Sequence, residues 1–407
     1  MLSPYRRVLA VPGAIAFSLT GLVARLPISM VSLGIVLLVS TETGSYGLAG
    51  AVAASYLVGH ALVAVLQARL TDRLGQSRVL PWTILVFTVA LSLMMWSVEA
   101  GWAVPLPHLL AAVGGAAQPQ VGSCVRARWS HSLPDKKELQ TAFALEAVVD
   151  ETVFMVGPIL VTLLATTVHP LVGLGTAVAA GLTGTLALAA QRSTEPPAHR
   201  GTGRRGPRVP MGWRVLGPLV VAGVTTGMLF GGIEVATVAF SEELGSKAAA
   251  GPLLAVFALG SLLAGFVSGT LEWRTSNATR FRRGMAGLAV TALPLPFVGS
   301  LPVLGAVLFV AGFAISPTLI AIIAWVEETV PTGRLTEGIT IITTGMAVGL
   351  APGAALVGTV VDRAGASASY WVPVAAAVTG SLVALSTLLV DRGPVRVEEP
   401  SPNGSSG

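Results

Sequence analysis

Residues 139–164 read LQTAFALEAVVDETVFMVGPILVTLL. The stretch is long and apolar enough to cross a bilayer as a helix, yet it carries Glu146, Asp150 and Glu151 and runs on into Gly157-Pro158. A carboxylate in hydrocarbon costs at least ~2.5 kcal/mol even on insertion scales, so acids inside a span face a partner or a water-filled cavity and mark an ion or substrate path. Glu146 and Asp150, four residues apart, share a helix face, with Glu151 about 100° further round. Counted from position 139 at ~1.5 Å per residue, Asp150 lies ~17 Å in, near the middle of the membrane. The segment predicts one wall of a polar cavity in a membrane protein.

Composition extends that reading to the whole chain. Of 407 residues 53% are hydrophobic and 11% charged, and the mean hydropathy is +0.76, whereas soluble domains carry about 25% charged residues. Apolar windows of ~20 residues recur twelve times, the first over 11–39, the fourth over 105–125, the ninth over 285–299 and the tenth over 303–326. An all-α polytopic protein of twelve transmembrane helices follows. Arg6 and Arg7 before the first window mimic a signal sequence, but no small-residue cleavage site follows, so the run is a retained helix. With both termini cytoplasmic, 22 of the 25 basic residues fall on the cytoplasmic side, as the positive-inside rule requires. That distribution explains the basic charge without nucleic acid. The single cysteine, Cys124, excludes an intramolecular disulfide.

Residues 191–210, QRSTEPPAHRGTGRRGPRVP, form a Pro-, Gly- and Arg-rich linker that divides the chain into six-helix halves, 1–190 and 211–391. Residues 392–407 are expected to be disordered. A short repeat supports the two halves: ARLTDR at 68–73 aligns with GTLEWR at 269–274. Repeated halves with a substrate site between them at the bilayer midplane are one way secondary transporters are built.

The loop Ala68-Arg-Leu-Thr-Asp72-Arg73-Leu-Gly75-Gln-Ser-Arg78 resembles the major facilitator superfamily signature between helices two and three, G-x-L-x-D-R-x-G-x-x-R. Ala68 replaces the leading glycine, and the second-half copy loses the aspartate to Trp273. The resemblance implies a gating role for Ala68, Asp72, Arg73, Gly75 and Arg78. In physical terms, Asp72 among Arg69, Arg73 and Arg78 is placed to accept charge-assisted hydrogen bonds and latch the halves; the plain alternative is a topological turn. Gly157-Pro158 resembles the centre of the superfamily's antiporter signature, G-x-x-x-G-P-x-x-G-G, although Val153 and Val161-Thr162 replace its outer glycines. The competing reading is a bend that neighbouring helices tolerate.

Arg25 lies about as deep in the first window as Asp150 in the fifth, which makes it the natural partner of Asp150 or Glu151 and a candidate contact for substrate. The acid left unpaired is then free to carry protons, and Glu146, nearer the cytoplasmic end, serves structure or joins the proton path. His60, at mid-depth in the second window, suits proton transfer or packs as a hydrogen-bonded histidine. Glu234, the one acid inside the seventh window, lines the outer cavity or reaches the interface.

No metal-ligand spacing of histidines and no G-x-x-x-x-G-K-[ST] loop occurs, so no cofactor is expected and the proton gradient is the energy source. The expected function is a monomeric, proton-coupled exporter of small organic molecules in a bacterial plasma membrane, not an enzyme. The alternatives are a proton symporter importing a sugar, organic acid or amino acid, and a non-transporting receptor or scaffold.

Overall fold

A computed structural model describes residues 3–198, 213–270, 275–330 and 335–389. The second-half repeat beyond Thr270, most of the linker, Arg334 and the tail lie outside the described residues.

The chain opens with a short helix, Ser3–Leu9 (α1), and Gly13, at φ +82°, breaks it from α2, Ala14–Thr43. Next come α3, Tyr46–Leu74, and α4, Gln76–Glu99. Ser45 caps α3 by accepting from the Leu48 N–H, filling one of the bonds a helix start leaves open. Gly75, at φ +92°, turns α3 into α4, a backbone state glycine adopts without steric cost.

The fourth window is not one helix. It divides into α5, Pro105–Ala117, and α6, Val121–Ser132. Pro119 forces Gln118 out of the helical region, to φ −60°, ψ 121°, as residues before proline are forced. The freed Gln120 N–H donates to Gln67 Oε1 of α3 at 3.1 Å, and the Tyr56 hydroxyl meets Gln118 Oε1. Helix α6 thereby runs beyond the window, to Ser132.

The acid-bearing stretch is α7, Lys136–Thr167, continuous through Pro158, followed by α8, Pro170–Ala190. Then come α9, Trp213–Glu243, and α10, Ala250–Thr270. The ninth window starts too late: α11 spans Asn277–Ala292, its cap Ser276 set ahead of Arg280, Arg282 and Arg283, whose charges hide that turn from an apolar count. The tenth is α12, Leu301–Gly312, and α13, Ile315–Thr329, parted near Pro317, which lacks the N–H that would bond Phe313. Helix α14, Leu335–Ala364, and α15 and α16, Ala366–Ser369 and Trp371–Ser386, complete the bundle.

Among the described residues ten helical stretches are long and apolar enough to cross a membrane. The broken α5–α6 and the 16-residue α11 supply the other two of the twelve windows. Helices α2 to α8 pack largely on one another, as do α9 to α16, and the two sets meet chiefly where α3 lies on α14 and α7 on α10.

Candidate transport site

Four charged side chains from three helices meet inside the first set. Arg25 of α2 donates through Nη1 to Asp150 Oδ1 at 3.0 Å and through Nη2 to Glu146 Oε2. Arg126 of α6 donates to the second Asp150 oxygen at 2.6 Å, and Trp129 Nε1, one turn on, donates to Glu146 Oε1 at 2.8 Å. The i, i+4 spacing of the acids and the i, i+3 spacing of Arg126 and Trp129 put each pair on one helix face. Two anions facing two cations leave the cluster neutral, which offsets the cost of burial. That burial is uneven. Arg25 and Glu146 are 1% exposed, whereas Asp150 is 33% and Arg126 41% exposed.

Arg25 therefore meets Asp150, as its depth predicts, but its second partner is Glu146 and not Glu151. Glu146, read as nearer the helix end, is the most buried acid of the cluster. Glu151 is half-buried beside Asp150 and outside the ion pairs. Apolar counting missed Arg126 and Trp129 by assigning Arg126 to a cytoplasmic segment, because only the break at Pro119 shows that α6 continues beside α7. Their signal is the i, i+3 spacing itself.

His60 and Glu234 stand apart from this cluster. His60 of α3 lies beside the Gly115 backbone of α5, and its Nδ1 is buried without a hydrogen-bond partner. Glu234 of α9 faces the Ser32 hydroxyl of α2, with its Oε1 buried and unpartnered. Ser32 is seven residues beyond Arg25, about 10 Å along the helix. Glu234 thus points toward α2 inside the bundle.

At the signature-loop end, Asp72, Arg73 and Arg78 are exposed and Ala68 is half-buried. Asp72 makes no ion pair among the described residues. It lines a cavity of about 550 Å³ with Gln76, Ser130 and His131, so the expected latch to Arg69, Arg73 and Arg78 is not formed here. The loop is fastened to the start of the linker. Fully buried Arg128 reaches Gln76 Oε1 at 2.8 Å, Thr194 Oγ1 at 2.7 Å and the carbonyls of Gln191 and Leu188. Glu195 accepts from the Ser77 N–H at 2.9 Å and stands where a Cβ on Gly75 would come within 2.8 Å.

Gly157 and Pro158 serve helix contacts on two sides. A Cβ on Gly157 would strike Ser29 of α2, and the Pro158 carbonyl receives Gly251 of α10. Such small residues are what let membrane helices approach closely.

At the opposite end the two sets of helices are latched together. Asp362 of α14 accepts from Ser45 Oγ at 2.7 Å, the Tyr46 N–H at 2.8 Å and the Gly47 N–H at 2.7 Å, a carboxylate on the positive start of α3. The Tyr46 hydroxyl meets Glu242. Lys247 pairs with Glu242 at 3.2 Å and donates to Ser40 and Thr41 of α2. Gly50 and Gly358 let α3 and α14 touch backbone to backbone, against Ala354 and Tyr46.

The family model described as Major Facilitator Superfamily matches residues 17–334 and again 219–406. No curated protein matches the chain. Among solved structures, the nucleoside transporter NupG superposes with a TM-score of 0.74 at 13% identity, covering 92% of this chain and 99% of its own. The POT family transporter PepTSo gives 0.68 at 12% identity, covering 95% and 98%. A bacterial homologue of the human lysosomal transporter Spinster, inward-facing and occupied, gives 0.67 at 15%, covering 98% and 99%. Similarity at this identity describes the fold.

Proposed function

The chain belongs to the major facilitator superfamily, and on that premise we propose that it is a proton-coupled secondary transporter of small organic molecules. Its family makes it a multi-pass membrane transporter and not an enzyme. In our reading the halves 1–190 and 211–391 alternate access to a site between them, as a monomer in a bacterial plasma membrane. The basic-residue distribution supports both termini being cytoplasmic. The signature-loop end is then the cytoplasmic end and the latched end faces outward.

The observation that carries proton coupling is Asp150, a third exposed and shared between Arg25 and Arg126. Protonating it releases two guanidiniums at once and changes the charge that the cluster presents. Glu151 beside it and Glu234 opposite Ser32 are further acids on the path. Asp72 gates the cytoplasmic end once the halves close there. A membrane potential of about 100 mV contributes ~2.3 kcal/mol per charge moved, enough to drive such a cycle.

Export is the direction that Gly157-Pro158 suggests. A second reading, inward symport of an organic acid, is favoured by one specific observation: a protonated Asp150 leaves two arginines ready for an anion, so proton and anion would load together. Comparing accumulation with extrusion in inside-out vesicles separates the two. The coupling itself is tested with purified protein in proteoliposomes carrying a pH-sensitive dye, screened with compounds that raise its melting temperature. Substrate-evoked proton movement is expected, and a bound, transported compound that moves no protons removes the coupling.

A further inference from the structure

We infer that Arg25 and Arg126 form a binding site for the anionic group of an organic substrate, and that Asp150 is a tethered carboxylate holding the site until such an anion displaces it. The inference rests on the transporter reading above and adds the substrate class.

The first ground is the geometry of Asp150. Its two oxygens reach guanidiniums on different helices, at 3.0 Å from Arg25 and 2.6 Å from Arg126. What two such forks hold in common is a carboxylate or a group of its shape.

A second, independent ground is that Arg25 is not saturated. Arg25 is 1% exposed, yet its Nε is buried with no hydrogen-bond partner. Orphaned buried donors are rare and call for an explanation.

The third ground is the space beside that donor. Gly122 of α6 lies one turn before Arg126, and a Cβ there would sit 3.8 Å from Arg25 Nε and 3.3 Å from an Arg126 guanidinium nitrogen. The glycine thus keeps a side chain out of the space beside both cations, next to where the Asp150 oxygens meet them. Access follows the burial pattern: Arg126 and Asp150 are 41% and 33% exposed, while Glu146, bonded to Trp129, keeps Arg25 neutralised and aimed at 1% exposure.

Charge balance gives the coupling. An anion on the guanidiniums together with a proton on the displaced Asp150 leaves the net charge of the cluster unchanged. The two therefore load in the same state and travel together, which sides with symport. The charged groups around Asp150 are Arg25, Arg126, and, on its own helix, Glu146 and Glu151. Helices α8 and α10, also packed on α7, hold no ionisable residue. Helix α1 brings Tyr5, Arg6 and Arg7 to α7, and the turn Lys247–Ala249 touches it with Lys247 committed to Glu242.

The test measures melting temperature of the full-length protein in detergent, from about pH 5 to about pH 8, with benzoate, glutarate and phenyl phosphate against benzamide, glutaramide and benzylamine. Acids are expected to stabilise and their uncharged or cationic counterparts not, with affinity falling up to about tenfold per pH unit as one proton is linked to each anion. D150N should bind acids with no pH dependence, G122A should weaken binding, and R126Q should abolish it, each judged only where the unliganded variant melts cooperatively. Equal stabilisation by amides or amines, acid binding unchanged in R126Q, or no shift from any acid overturns the proposal. A neutral or cationic compound that drives counterflow in proteoliposomes leaves the transporter standing without the anion site. Acid binding with no flux of any bound acid leaves the site and removes the transporter reading.

Discussion

Two charged clusters in this molecule are built in opposite ways. The latched end ties α2 and α3 to α9 and α14 through Tyr46, Glu242, Lys247 and Asp362, with Glu242 44% exposed and Lys247 15% exposed. The inner cluster draws only on α2, α6 and α7, and its Arg25–Glu146 pair is 1% exposed. Exposed pairs are individually weak, about 0–1 kcal/mol, whereas removing one partner of a buried pair costs several. A contact that bridges the halves has to be remade in every cycle, so weak pairs beside water suit it. A contact within one half is not broken when the halves separate, so it can be buried. Depth of burial therefore marks what holds a half together, and half-exposure, as at Asp150 and Arg126, marks what can exchange.

The substitution expected to break that contrast most severely is E146A. It leaves Arg25 with Asp150 as its one carboxylate and strands the Trp129 N–H in the interior, and should cost about 3–5 kcal/mol, read as a large drop in melting temperature and in yield of folded protein. E146Q, which keeps an acceptor for Trp129, should lose less. At the latched end, G358L puts a side chain against the Tyr46 carbonyl and should act by overpacking, about 1–3 kcal/mol. It should separate α3 from α14 there without unfolding either half. Spin labels on T43C and G245C would report it as a longer distance, and the buried Cys124 leaves that labelling clean.

D362N keeps the shape of the latch and removes its charge from the start of α3. It should shift the same distance distribution more modestly, by about 1–2 kcal/mol of closed-state preference. Y46F deletes one hydroxyl contact to the exposed Glu242 and is expected to move the population by less than about 1 kcal/mol. If D362N or Y46F destabilised the fold as much as E146A, the division between the latch and the buried Arg25–Glu146 pair would fail.

Much of the architecture was legible in the chain because apolar windows and proline positions are local signals. Arg25 was legible as the partner of Asp150 or Glu151 for a similar reason, a lone charge in an apolar run at the depth of those acids, but which acid it meets was not. Arg126 and Trp129 were not, since charged residues just past a window read as topological loop charges until the break at Pro119 and the continuation of α6 are seen. The latched end was beyond one-dimensional reading altogether. Asp362 and Tyr46 lie 316 residues apart, and nothing in either local sequence marks the other. The signature loop was visible as a motif, but its attachment to Arg128, Thr194 and Glu195 depends on where the linker folds back. Glu234 was identified as the acid of its span, while its orientation toward Ser32 required the packing of α9 on α2.

The central claim is that Asp150 links proton movement to the transport cycle. Its most direct test is substrate-evoked proton flux in proteoliposomes, wild type against D150N, with substrate binding measured on the same preparations. The account predicts that D150N still binds substrate but carries no coupled protons across the membrane. Undiminished proton flux through D150N would contradict it.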